Sequence, residues 1–462
     1  LTSGQLGSLI AEQVQNMKPG VISALNNDAL SGLGSTQMGA LASDQIAMLS
    51  TRQISTLTST QVGQIDAGAI VGLTAAQVTT LITQQLRALS TGQLAQLTAG
   101  QVAMLSSEKM GALLTTQVDA LTTTQISVLK AFQLGGLSSE QTLAINDSQI
   151  GMLKGAQIVG FNTAALEGLN IAEFAATQVG AFTTTQIDAL STNQLVLINT
   201  AAISGMNNAQ MKALTSQHLA SLDEAQLQVL SAKQLASIET KDLVALTTSN
   251  IVALSSSQIR ALTKLQISNL TTDQVSNIAL EDFQALQNTQ VVALTTAQVS
   301  SLKTAQLAAM TSAQIAAMET DDVLSLTTAQ LVALTTAQVA SLTTDQLVTL
   351  TTAQLPSLKT SQIAALTTAQ LVTLTTAQVA ALTTDQVVSL TTGQVTSLTT
   401  AQLSSMTTAQ IAAIETDDVL SLTTAQLVAL TTAQVASLTT DQLVTLTTVQ
   451  LPSLKTAQLS AL

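Results

Sequence analysis

"LTTAQLVALTTAQVASLTTDQLVTL", residues 326–350, is one eight-residue phrase, Leu-Thr-Thr-x-Gln-[Val/Leu]-x-x, repeated three times. With the leading Leu as position 1, the register runs from Leu1 through Leu9, Met17 and Leu25 to Leu169. A single thirteen-residue unit, 169–181, interrupts it there, and Phe182, Leu190 and Ile198 resume the step of eight as far as Leu462. Of the 57 units, 44 carry Gln at position 5, so the fold turns on what Thr at position 2 and Gln at position 5 do together.

Thr-x-x-Gln is the pattern of a helix capping box, with Thr as N-cap and Gln as N3. Position 6, nearly always Val, Leu or Ile, is then N4, and it forms a hydrophobic staple with position 1 at N′. A helical wheel puts positions 5, 6 and the next position 1 on one face. Positions 3, 4, 7 and 8 face away, and Arg52, Asp119, Asp188, Arg260, Asp345 and Asp385 fall there. The octad therefore predicts a helix of about one and a half turns followed by a bend. The alternative is a β-solenoid, favoured by the Thr and Val content. Strict alternation fails, however, because positions 1 and 6 differ in parity, and Gly and Asn are too sparse to turn every corner. Helices this short are unstable alone, so each octad has to stack on others. The expected fold class is an all-α solenoid of very short capped helices.

The exceptions to Gln have their own rhythm. Ala29, Ala69, Lys109, Ala202, Asp242, Asp282 and Asp322 fall on five-octad steps when the long unit is counted as one extra unit. Octads on this rhythm tend to open with Ile and to carry Asn, Asp or Glu at the cap, as in Ile65-Asp66, Ile145-Asn146, Ile198-Asn199 and Ile238-Glu239. Five octads per turn, with sides of roughly 14 Å, leave a hole that Leu and Val cannot fill. Five per two turns, near 20 residues each, brings helix axes to about 8–10 Å. The expectation is about 2.5 repeats per turn. The stretch "ETDDVLSLTTAQLVAL" begins at both Glu319 and Glu415, 96 residues apart, as recent expansion of an array would leave it. Nothing marks a linker, so 1–462 reads as one continuous octapeptide-repeat solenoid. Both ends fall in mid-pattern, so the chain is expected to be a piece of a longer array.

A net charge of −13 with 14 Lys and Arg, and Phe as the sole aromatic type, argues against nucleic acid as a partner. The absence of Cys excludes disulfides and thiolate metal sites. Mean hydropathy is +0.41, yet Thr and Gln interrupt every octad, so no transmembrane segment is expected. No signal segment opens the chain, and any such signal is expected to lie outside it. His218 is the one histidine and stands at position 5, where it reads as a capping substitute. Without a second His, a Cys or a Gly-rich phosphate loop, neither a triad nor a P-loop can be built. The chain is expected not to be an enzyme, with no catalytic or cofactor-binding residue.

Carboxylates cluster at Glu319, Asp321 and Asp322, at their copies Glu415, Asp417 and Asp418, and at Glu281 and Asp282. They are the candidates for a calcium site, since Ca²⁺ takes six to eight oxygens. Their spacing matches no EF-hand, and acids at N-cap, N2 and N3 also suit a helix dipole, so capping is their expected role. Gln at position 5 has two expected roles, a local cap and a ladder of amides bonding between stacked turns. Pro356 and Pro452, both at position 7, mark where the helix stops.

The octad resembles the Leu-[Thr/Ser]-x-x-Gln-[Val/Ile] repeats of very large bacterial surface proteins, described as adhesion or haem-utilisation-like, over essentially the whole chain. Haem is not expected, because one His and no Cys leave almost nothing to ligate iron. "LTTDQVVSL" at Leu382 is similar to the opening of TAL-effector repeats, which implies a short helix only, since the second helix and base-reading loop are absent. Leu-Thr-x-x-Gln also resembles the motif of periplasmic stress chaperones, which carry it in long helices without octads. The resemblance to surface proteins implies a structural rod, stalk or filament-forming repeat protein of a bacterial surface adhesin, outside the cell or on its surface. Expected partners are further copies of itself, in filaments or bundles, and surface glycans. The alternative is a ligand-binding repeat module for calcium or a glycan. Positions 4, 7 and 8 are bland over most octads, as a spacer requires.

Overall fold

A computed structural model describes residues 1–462. The chain is entirely helical, with 55 α-helices of four to six residues, three 3₁₀ turns and no strand. The octad from Leu326 is typical: its helix spans Thr328–Ala333, and Leu334 and Thr335 then carry the chain into the next helix, Thr336–Ser341. These two linking residues are extended, at φ −61°, ψ 142° and φ −73°, ψ 160°. No residue has positive φ and no peptide is cis. The corners are thus made by ordinary L-residues in the polyproline region, which is why the sequence has no Gly or Asn at each bend.

Positions 1, 5 and 6 line the interior. Leu331, Leu334, Val339 and Leu342 are buried, together with Gln330 and Gln338. Thr327, Thr328 and Ala329 are exposed. This is the face the wheel predicts, and it makes the β-solenoid alternative untenable.

The chain forms two compact bodies, Leu1–Ala245 and Leu246–Leu462. Within each, a helix packs on the third helix after it. In the first body Ala11–Gln15 packs on Ser35–Ala40, and that helix on Ser59–Gln64. In the second, Thr296–Ser301 packs on Thr320–Ser325, and that helix on Thr344–Thr349. Polar contacts between successive turns link residues 23 to 31 apart, as in Thr142 to Ala165, Ser341 to Ser312 and Gln338 to Leu307. One turn therefore takes about 27 residues, a little more than three octads. The expectation of 2.5 per turn is corrected. It treated the coil as facing helices at packing distance, whereas Leu at position 1 and Leu or Val at position 6 both point inward from every side. A three-sided interior is what holds that volume.

The thirteen-residue unit resolves into two parts. Leu169 and Asn170 lead into a 3₁₀ turn, Ile171–Glu173, and Phe174 opens an octad with a helix at Ala176–Val179. Ile171 is buried like a position-6 residue. The first part is thus an octad lacking positions 3–5. The inter-turn bonds shift by the same three residues: Gln178 reaches Ile150 and Leu153, 28 and 25 back, where Gln149 reaches 31 and 28 back. Pro356 lies in the 3₁₀ turn Leu355–Ser357 and its equivalent Pro452 in the short helix Gln450–Ser453, both of which end at the residue after the proline.

Candidate functional site

Gln338 illustrates the position that constrains the array most. Thr335, its N-cap, accepts the Gln338 N–H on Oγ1 at 3.2 Å, and Gln338 Oε1 accepts the Thr335 N–H at 2.7 Å. That is the expected capping box. The amide Nε2 still has two protons, which it donates to the carbonyls of Leu307 at 2.8 Å and Met310 at 2.7 Å. Both carbonyls lie at the end of the helix Thr304–Ala309, where Leu307 O also accepts the Met310 N–H at 3.1 Å and Met310 O lies beyond the helix's own bonding. One side chain thus serves the start of its own helix and the end of a helix in the preceding turn. Gln77 does the same in the first body, with Thr74 N–H at 2.5 Å and the carbonyls of Ile46 at 2.9 Å and Leu49 at 2.6 Å. Glu would complete the capping box equally well but has no N–H, so the neighbouring turn decides for Gln. The expected ladder of amides is present in altered form, bonding main-chain carbonyls and not one another.

The exceptions divide by whether they keep a donor. His218 accepts the Thr215 N–H on Nδ1 at 3.2 Å and places Nε2 2.8 Å from Leu190 O, which requires the Nε2–H tautomer. It is buried and copies both halves of the Gln role. Lys109 donates from Nζ to Thr79 O, and partial burial lowers its ammonium below the usual lysine range, with Glu108 opposing. All four octads with Ala at position 5 (Ala29, Ala69, Ala165 and Ala202) have Asn or Asp at the cap and Gly at position 8. In two of them the amide has moved. Asn162 Oδ1 accepts the Ala165 N–H at 2.8 Å while Nδ2 donates to Gly135 O at 3.0 Å. Asn199 repeats this with Ala202 at 2.8 Å and Ala172 O at 3.1 Å. Gly168 and Gly205 lie close against the main chain of the preceding turn, as Gly136 and Gly160 do at position 8 of octads that keep Gln. The joint occurrence of Asn, Ala and Gly in one octad was the sequence signal for this swap.

The Asp exceptions lose the donor. Asp242 and Asp282 are buried, and their carboxylates accept the hydroxyls of Ser216 at 2.6 Å and Ser256 at 2.5 Å from the preceding turn. Asp322 and Asp418 are buried in the same slot. Of the other calcium candidates, Glu319 and Glu415 are exposed N-caps that make no side-chain cap bond, and Asp321 and Asp417 are exposed in the first helical turn. Glu281 is exposed beside buried Asp282. No three His, Asp or Glu side chains come together as a metal-holding group. Burial, with Glu319 and then Asp321 beside it, holds the Asp322 carboxyl up to about 6.

One open cleft of about 630 Å³ lies in the first body, between Asp188, Lys212, Ser216, Glu239, Lys241 and Asp242. Lys241 and Glu239, neighbours at the start of one helix on its wall, form an ion pair at 3.0 Å. No helix is long and apolar enough to cross a membrane.

Five segments, 235–272, 275–312, 315–352, 355–392 and 411–448, match the model of the ALTTAQ repeat family. This region is a tandem-repeat region, and its first four segments open 40 residues apart, the length of the five-octad rhythm. No curated protein matches the chain at a significant level.

Proposed function

We propose that the chain is a structural rod, the stalk or filament-forming part of a bacterial surface adhesin, working outside the cell. The observation that carries this reading is the short reach of every inter-turn bond within each body. Gln338 binds 31 and 28 residues back, and Gln77 does the same. An array held only by neighbours lengthens when octads are added and changes nothing else. Duplication of the stretch at Glu319 and Glu415 extends it in this way. The outer positions carry exposed Thr at positions 2 and 3 and scattered exposed aliphatic residues such as Leu324, Val348 and Val372, which suits lateral contact with further copies and with surface glycans. Catalysis has no support from the polar residues above, because each buried one is engaged in joining turns or stands alone.

Scattering from chains with added octads tests the rod. Ten more octads are expected to add about three turns, and with stacked helices roughly 9 Å apart the maximum dimension should grow by about 27 Å at constant thickness. A dimension that stays fixed while the thickness grows sinks the proposal.

The ligand-binding module remains the second reading because of the charged cleft at Lys212, Lys241 and Asp242. Titration calorimetry with calcium chloride, and a glycan array, separate the two. The rod predicts no saturable heat and no glycan signal that Lys241→Ala abolishes.

A further inference from the structure

Asp322 occupies the slot of the bridging amide but does not complete its role. The Glu319 main chain beside its carboxylate opposes part of the upward shift, but no capping box closes on this helix as it does where Gln stands. One oxygen, Oδ2, is buried with no hydrogen-bond partner, on a side chain 2 % exposed. Asp242 and Asp282, at forty-residue steps before it, have their Ser hydroxyls, and repeat equivalence puts Thr296 at the corresponding place for Asp322. The helices packed on Thr320–Ser325 are Thr296–Ser301 and Thr344–Thr349. The first carries no titratable group and the second only Asp345. On its own octad Asp322 has Glu319 and Asp321 beside it, so none of these elements supplies a cation.

We propose that Asp322 is a proton-operated latch between turns, open at neutral pH and closed in mild acid. A carboxylic acid has the planar outline of a primary amide, with a carbonyl oxygen as acceptor and an O–H where the amide has N–H. Protonated on Oδ2, Asp322 gains a donor at its buried, unpartnered oxygen, which restores towards the preceding turn the bond that Gln makes elsewhere. Ionised, it sets a bare carboxylate against that turn. The carboxyl titrates near 6 and not near 4 for the reasons of burial and neighbouring charge given above. Because the folded-state value is the higher one, the gain is complete below about pH 4, the unfolded value, and is lost as pH rises through about 6. This is the reverse of ordinary acid denaturation.

Hydrogen exchange on the whole chain tests the latch, read as protection factors for peptides covering 291–299 and 318–326. Between about pH 7.5 and about pH 4.5 the parent should gain roughly tenfold in protection. Asp322→Asn and Asp322→Gln carry the donor permanently, and Gln is the residue most octads already use, so both should be protected at either pH. Parent-like pH dependence in either variant, or a flat parent, overturns the proposal. So does calcium chloride that reproduces the acid protection at about pH 7.5 in the parent but not in Asp322→Asn, because a metal ion would then be the occupant.

Discussion

Exchange of Gln330, Gln338, Gln346, Gln354 and Gln362 for Ala will remove on the order of 10 kcal/mol from the second body. Each loses a cap interaction worth about 0.5–2 kcal/mol. Each also strands the buried carbonyl of a position-1 residue in the preceding turn, such as Met310, and an unsatisfied buried acceptor costs about 1–3 kcal/mol. Five such losses equal the whole stability of a typical domain, so thermal unfolding followed by circular dichroism should show the transition of this body lost or shifted far down. Gln338→Glu alone separates the two roles. It keeps the acceptor that closes the capping box on Thr335 and removes the donor to Leu307 and Met310. Glu is expected to cost at least as much as Ala there, because it also brings a charge into a buried slot. A midpoint unchanged in Gln338→Glu would mean that local capping alone explains the residue.

Gly168→Ala should destabilise the first body by about 1–3 kcal/mol or more, as overpacking against backbone does. The added Cβ would stand 1.9 Å from Ser139 O, 2.5 Å from Thr142 Oγ1 and 2.8 Å from Leu143 N. Two of those atoms are main chain and cannot swing aside. Thr142 is itself held by a 2.6 Å hydrogen bond to Ala165 O. Gly393→Ala is the control: nothing lies within 4 Å, and the residue sits within the helix Thr392–Ser397. A gain of about 0.5–1 kcal/mol is expected there from reduced chain entropy and better helix propensity. Similar melting shifts for both substitutions would remove close approach as the reason for glycine at position 8.

Whatever closes within one octad was legible in the sequence. The capping box joins residues three apart, the staple joins positions 1 and 6, and the wheel is a property of one helix, so Thr335, Gln338, Val339 and Leu342 could be placed without knowledge of any neighbour. The same locality weighed against the strand reading, which stayed as the alternative until the helices were seen. His218 was legible as a capping residue for this reason, and Glu319 and Glu415 as helix N-caps.

Whatever depends on the next turn was decided by tertiary structure alone. A turn of about 27 residues follows from the two extended dihedral pairs at each corner and from the volume of the inward side chains, and neither has a period that the letters display. The target of the Gln amide was likewise hidden. It lies on carbonyls, which every residue has, and only stacking selects Leu307 and Met310 from among them. The Asn–Ala–Gly octads and the shortened unit at Leu169 were visible as departures from pattern, but their meaning, an inter-turn amide moved to the cap and an octad without positions 3–5, required the distances. Asp322 shows the limit most clearly. In sequence it is one acid in a cluster that capping explains, and only burial beneath the preceding turn leaves one of its oxygens without a partner, because desolvation is a property of the packed array and not of the octad.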